Sequence, residues 1–76
     1  MLTRPTPGDS ASDLIDRLRD IHYAGEDVME LRISLNADFV EGMTFDGQAF
    51  RVWFRGGLNN TPWVIAAVEH WPEGAA

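Results

Sequence analysis

Two histidines, three serines and a row of aspartates are the side chains of this 76-residue sequence that suggest chemistry first. A catalytic or structural metal would need His22 and His70 together with carboxylates, yet they follow no ligand spacing such as HExxH. His22 continues the apolar side of a helical pattern and reads as a packed or half-exposed residue, while His70 reads as a surface residue. Ser10 and Ser12 suit a helix start, and Ser34 falls on the wet side of a strand pattern. None has a histidine beside it in a nucleophile motif. A carboxylate pair needs a cleft that excludes water, which a chain this short builds with difficulty. No catalytic residue, metal ligand or cofactor is therefore assigned.

The aspartates form a pattern. Asp9, Asp13, Asp16 and Asp20 are spaced i, i+4, i+7, i+11, so on a helix they fall within about 60° of circumference. Glu26 and Asp27 extend the charge just beyond. Like charges at these spacings repel by a few tenths of a kcal/mol per pair. Two readings stand: a solvated face opposite the core, or a row of carboxylates that imitates phosphates and meets a basic patch on a partner protein.

The elements that position this row are legible. Ser10 can cap a helix, with Asp13 three residues on in a capping-box arrangement. Leu14, Ile15, Leu18, Ile21 and His22 share one helical face, and Gly25 supplies a left-handed stop. This predicts a helix over 11–24, after a flexible lead-in over 1–9. "VMELRISLN" then alternates with period two, so Met29, Leu31, Ile33 and Leu35 are expected on the buried side of an antiparallel strand.

Asp46-Gly47 lies between alternating apolar runs, the signature of a two-residue hairpin turn. That turn would pair Met43 with Phe50, Glu41 with Val52 and Phe39 with Phe54 on an inner face. It would pair Thr44 with Ala49, Gly42 with Arg51, Val40 with Trp53 and Asp38 with Arg55 on an outer face. Glu41 is then a misfit among apolar residues, relieved if Gly42 forms a bulge. The outer face, with Val40, Arg51, Trp53 and Arg55, is a second candidate contact surface, because Trp and Arg are enriched at binding hot spots.

"GGLNNTP" reads as a loop. Its Arg55-Gly56-Gly57 is a turn rather than an arginine-glycine tract, and the Asn59-Asn60-Thr61 sequon is expected to go unused. In "WVIAAVEHW" two signals compete. Thr61 and Pro62 could start a helix, but Val64, Ile65 and Val68 are β-branched and Pro72 closes a run of strand length. A strand over 63–70 is expected, with Trp63, Ile65, Ala67 and Trp71 on one face and Trp63 in the core. The fold class is α+β: one N-terminal helix on an antiparallel sheet of about four strands, as a single domain over 10–72 with a short tail over 73–76.

Bulk composition narrows the function classes. Twelve acidic residues against six arginines and no lysine give a net charge of -6. That disfavours direct binding to nucleic acid or anionic membrane and favours a basic protein partner. There is no cysteine, no long apolar run and no apolar signal-peptide core in the first residues. The expectation is a soluble cytoplasmic protein. In size and charge the chain is similar to phage-encoded inhibitors, including anti-CRISPR proteins and DNA mimics, a likeness of composition with no motif behind it. It implies a non-catalytic protein that blocks a basic surface. The alternative is a homodimer joined through the sheet face or an edge strand, as an immunity, antitoxin or assembly-chaperone module.

Overall fold

The computed structural model describes residues 2–34, 36–56 and 62–72. One helix, α1 (Ala11–Tyr23), precedes four strands: β1 (Val28–Ser34), β2 (Phe39–Thr44), β3 (Ala49–Arg55) and β4 (Val64–Glu69). The strands form one antiparallel sheet in the order β1-β2-β3-β4, a meander in which every neighbour in sequence is a neighbour in space. This is the expected α+β fold.

Both ends of α1 follow from its sequence. The Ser10 hydroxyl accepts a hydrogen bond from the Asp13 amide at 3.3 Å and satisfies one of the helix's unpaired donors. At the other end Gly25 takes φ 73°. There the Gly25 amide donates to the His22 carbonyl and the Glu26 amide donates to the Ile21 carbonyl, each at 3.1 Å. That pair of bonds is the Schellman closure, which a residue with a Cβ adopts only at a cost. The helix buries Ala11, Leu14 and Leu18 against the sheet, with Ile15 and Ile21 packed beside them.

The opposing surface consists of Val28, Val40, Phe50, Val52, Phe54, Ile65 and Trp71. It differs from the expected one because the hairpin register is shifted by one residue. Val40 pairs with Val52, Glu41 with Arg51, Gly42 with Phe50 and Met43 with Ala49. The cause is the turn. Thr44 exchanges bonds with Gln48 and Gly47, its amide donating to the Gln48 carbonyl at 2.9 Å and its carbonyl accepting from Gly47 at 3.1 Å. The loop is thus Phe45-Asp46-Gly47, with positive φ at Gly47 (88°) but not at Asp46. This is the three-residue hairpin in which the glycine forms a bulge, not the two-residue turn with both centres left-handed.

A one-residue slip turns every β2 side chain over. Val40 and Thr44, expected outside, are buried, and Phe39 and Met43, expected inside, lie on the other face. Thr44 satisfies its hydroxyl in the turn, where it donates to the Asp46 carboxylate and accepts from the Gln48 amide. No bulge at Gly42 is required. Gly42 instead faces Phe50, and a Cβ there would stand 2.6 Å from Phe50 Cζ and 2.8 Å from the Glu30 carbonyl oxygen. A glycine in a strand interior marks such a close approach.

Two bulges set the remaining faces. One between Val28 and Glu30 puts Val28 in the core and leaves Met29 40% exposed, the reverse of the expected order. Leu31 and Ile33 do pack against the core, and Leu35 lies outside the described residues. The other bulge, opposite Trp53 and Phe54, separates Ile65, which is buried, from Ala67, which is exposed. Residues 64–69 are a strand, as expected.

Trp71 is buried against Phe50 with ring centres 4.9 Å apart. Its Nε1 has no partner among the described residues, a cost of about 1–3 kcal/mol set against burial of a large ring. Trp63 reaches the rim of the core rather than its interior, edge-on to Phe54 at 6.4 Å.

The lead-in does not stand apart from the domain. Pro5 is buried and Leu2 packs on the core. The Gly8 amide donates to the Ile65 carbonyl at 2.8 Å, the Ile65 amide to the Asp9 carbonyl at 2.9 Å, and the Ala11 amide to the Trp63 carbonyl at 3.1 Å. The expected loop residues 57–61, with the sequon, and the expected tail over 73–76 lie outside the described residues.

Gly42→Ala tests this packing. Alanine ordinarily improves a strand position held by glycine by about 0.5–1 kcal/mol. Here Phe50 is pinned from behind by Trp71, so overpacking should prevail and destabilise by about 1–3 kcal/mol. Urea denaturation measures it, and a midpoint equal to or above that of the parent would reject the close approach.

Candidate functional site

The candidate residues fall on two separate surfaces. On α1, Asp13, Asp16 and Asp20 are all exposed, on the side of the helix away from buried Ala11, Leu14 and Leu18. Arg17 and Arg19 are also exposed, turned roughly 70° and 90° to either side of the row. Asp9 is exposed but already engaged, its carboxylate accepting from the Thr6 amide at 3.1 Å in the turn that leads to the helix. Glu26 is exposed and Asp27 half-buried in the connection to β1, where Asp27 takes φ 53°. The helix thus brings three of the six acids into one row and leaves the others at its ends.

The second surface is the sheet face turned away from the helix. The alternation of β3 puts Arg51, Trp53 and Arg55 there as expected. Val40 does not belong with them. It is completely buried, because the three-residue turn aligns it with Val52 instead of Trp53. Phe39 takes the place beside Trp53, ring centres 5.1 Å apart and edge to face.

Arg51 and Glu41 are paired on this face. The Arg51 guanidinium donates twice to Glu41 Oε2, from Nη2 at 2.8 Å and Nε at 3.3 Å. It also lies 4.8 Å from the Phe39 ring centre and 5.5 Å from that of Trp53, within cation–π range. The Trp53 indole donates to Glu69 Oε1 at 2.9 Å. Arg32 of β1 approaches Glu41 at 3.6 Å, more loosely. Arg55 is exposed at the end of β3.

Phe39, Glu41 and Glu69 are thus members of this face that sequence reasoning missed. The signal for Glu41 was present. An acid placed among apolar partners is the mark of a wrong register, and moving it opposite Arg51 removes the conflict.

An open hollow of about 620 Å³ lies where β1 meets β2 at the end of the helix, lined by His22, Met29, Leu31 and Phe50 with Glu30 and Glu41. His22 is exposed rather than packed, and His70 is exposed past the end of β4. Among the described residues no three His, Asp or Glu side chains gather in a way that could hold a metal ion. Nor is any described helix long and apolar enough to cross a membrane. Compared with family models, curated proteins and solved structures, the chain matches none.

A double-mutant cycle on Glu41 and Arg51 tests the outer face. Glu41→Gln and Arg51→Met should show a coupling of about 0.5–1 kcal/mol at low salt, shrinking as salt is raised. A coupling of zero at low salt would fit Glu41 standing opposite Val52 and would reject the observed register.

Proposed function

We propose that this chain is a small, non-catalytic, acidic binding protein of the cytoplasm that occupies and blocks a basic surface of a partner protein, in the manner of phage-encoded inhibitors that imitate a phosphate backbone. The observation that carries the reading is the row Asp13, Asp16 and Asp20. All three carboxylates stand in solvent on the side of α1 that makes no contact with the core. They repeat along roughly 10 Å of helix axis, a span comparable to the Debye length at physiological salt, so a partner meets them as one field. The net charge of -6 adds to it.

The alternative, a homodimeric immunity, antitoxin or assembly-chaperone module joined through the sheet face, has weaker support. Trp53 is half-buried, its N–H already serves Glu69, and Arg51 is held by Glu41 and two rings. Docking there would have to compete with contacts the face already makes.

Changing Asp13, Asp16 and Asp20 together to Asn keeps side-chain size and removes charge. Association with the partner recovered from the native host should slow markedly and lose most of its salt dependence, because steering by charge acts mainly on the on-rate. The fold should persist, with a small loss at the helix N-terminus where Asp13 favours the dipole. Equal affinity of mutant and parent at low and high salt would reject the reading and turn attention to Trp53.

A further inference from the structure

The two edges of the sheet are treated differently. The outer edge of β4 is covered along Trp63–Ile65 by the chain's own residues 8–11, through the bonds to Ile65 and Trp63 and a bridge between Ser10 and Val64. Among the described residues no backbone hydrogen bond covers the outer edge of β1 along Glu30–Ser34.

The groups this edge offers follow from the ladder. Thr44 donates to Gln48 and Phe54 donates to Asp38, so the even-numbered residues of β2 bond to β3. Antiparallel alternation then directs Phe39, Glu41 and Met43 to β1, where they meet Ser34, Arg32 and Glu30. The N–H and C=O of Leu31 and Ile33 are left pointing outward. Edge strands are commonly blunted by proline, lysine, a bulge or an inward charge. In β1 the bulge lies at the Val28 end, and Glu30–Ser34 stays regular.

We propose that this edge pairs with the same edge of a second copy of the chain, antiparallel, with Leu31 opposite Leu31 on the two-fold axis. Charge selects the register. Registers that keep Leu31 and Ile33 on the helix side can shift only in steps that preserve the faces. Centring on Glu30 sets Glu against Glu, and centring on Arg32 sets Arg against Arg. Centring on Leu31 sets Glu30 of each copy opposite Arg32 of the other, two favourable cross-strand pairs on the outer face.

Both side chains are exposed. Arg32 is 76% exposed, and among the described residues it meets a carboxylate in one place, the loose 3.6 Å approach to Glu41. On the helix side the same register sets the two Leu31 side chains together, with Met29, 40% exposed beside the hollow, at the bulged end of the paired segment. The contact is isologous and closes as a dimer, with one sheet running through eight strands. The surface is distinct from the aspartate row on α1, so the two readings stand or fall separately.

Sedimentation equilibrium from micromolar to millimolar protein should show a dimer. Glu30→Arg alone and Arg32→Glu alone should each weaken it about tenfold or more, since each turns two attractive pairs into two repulsive ones. An equimolar mixture of the two variants should restore it as a heterodimer with two Arg–Glu pairs. A circular dichroism melt verifies that each variant is folded. Hydrogen exchange on the parent protein needs no variant. The Leu31 and Ile33 amides should gain protection as concentration rises, while those of Glu30 and Arg32 are protected throughout. A parent protein monomeric at every concentration would overturn the proposal. So would a dimer indifferent to both reversals, or one whose Leu31 amide exchanges freely.

Discussion

The turn at Phe45-Asp46-Gly47 decides which side of β2 is dry. With three residues in the loop and only Gly47 left-handed, Thr44 pairs with Gln48. From that pair the ladder runs without choice through Gly42 and Phe50 to Val40 and Val52. The helix can cover one face of the sheet only, so the turn also selects which residues meet Leu14 and Leu18. Gly42 is the second half of the same constraint. Phe50 packs on Trp71 and closely approaches the bare Cα of Gly42, where a Cβ would meet both the Phe50 ring and the Glu30 carbonyl of β1.

The outer face is then as determined as the inner one. Turning β2 over places Glu41 beside Arg51 and Phe39 beside Trp53. The result is a sheet surface on which Arg51, Glu41 and the indole N–H find partners within the chain. Exposed pairs of this type contribute little stability each. Their larger effect is to keep a surface carrying Phe39, Trp53 and Met43 from behaving as an open apolar patch. A 76-residue domain has little core to spare, and here a single helix suffices because the second face is closed by cross-strand pairs.

The sequence made the helix and its caps legible because their signals are local: Ser10 and Gly25 each act within one turn of chain. Strand identity was legible from alternation in the earlier strands, and in the contested run 64–69 from its β-branched residues and its length. Register was not, because Asp-Gly fits two turn lengths that differ by one residue, and each carries the ladder to a different set of partners. Val40 was misassigned for that reason, whereas Arg51, Trp53 and Arg55 kept their face because β3 carries no bulge. The bulge that exchanges Val28 for Met29 left no composition signal. Of the candidate contact residues, the aspartates needed only the helix to be placed, so their exposure could be read in advance. The Phe39, Glu41 and Glu69 partners of the outer face required the correct ladder.

Charge is distributed over this fold by location rather than evenly. Asp13, Asp16 and Asp20 stand on the solvent side of α1, and on the outer sheet face Glu41 pairs with Arg51 and, more loosely, Arg32. Along β1, Glu30 and the loosely held Arg32 stand two residues apart, a self-complementary arrangement under a two-fold axis. The helix turns its core side to the sheet and its aspartates away from it, so pairing at the β1 edge would leave the row in solvent on both copies. A dimer built this way would present two acidic rows on one rigid sheet. Two such rows held at a fixed separation would engage a partner with two basic patches far more tightly than one row alone, provided the patches match that separation. The edge and the row are therefore independent in origin yet able to reinforce one another. In the proposed complex, one would set how many rows a binding surface meets, and the other would set the sign of that surface.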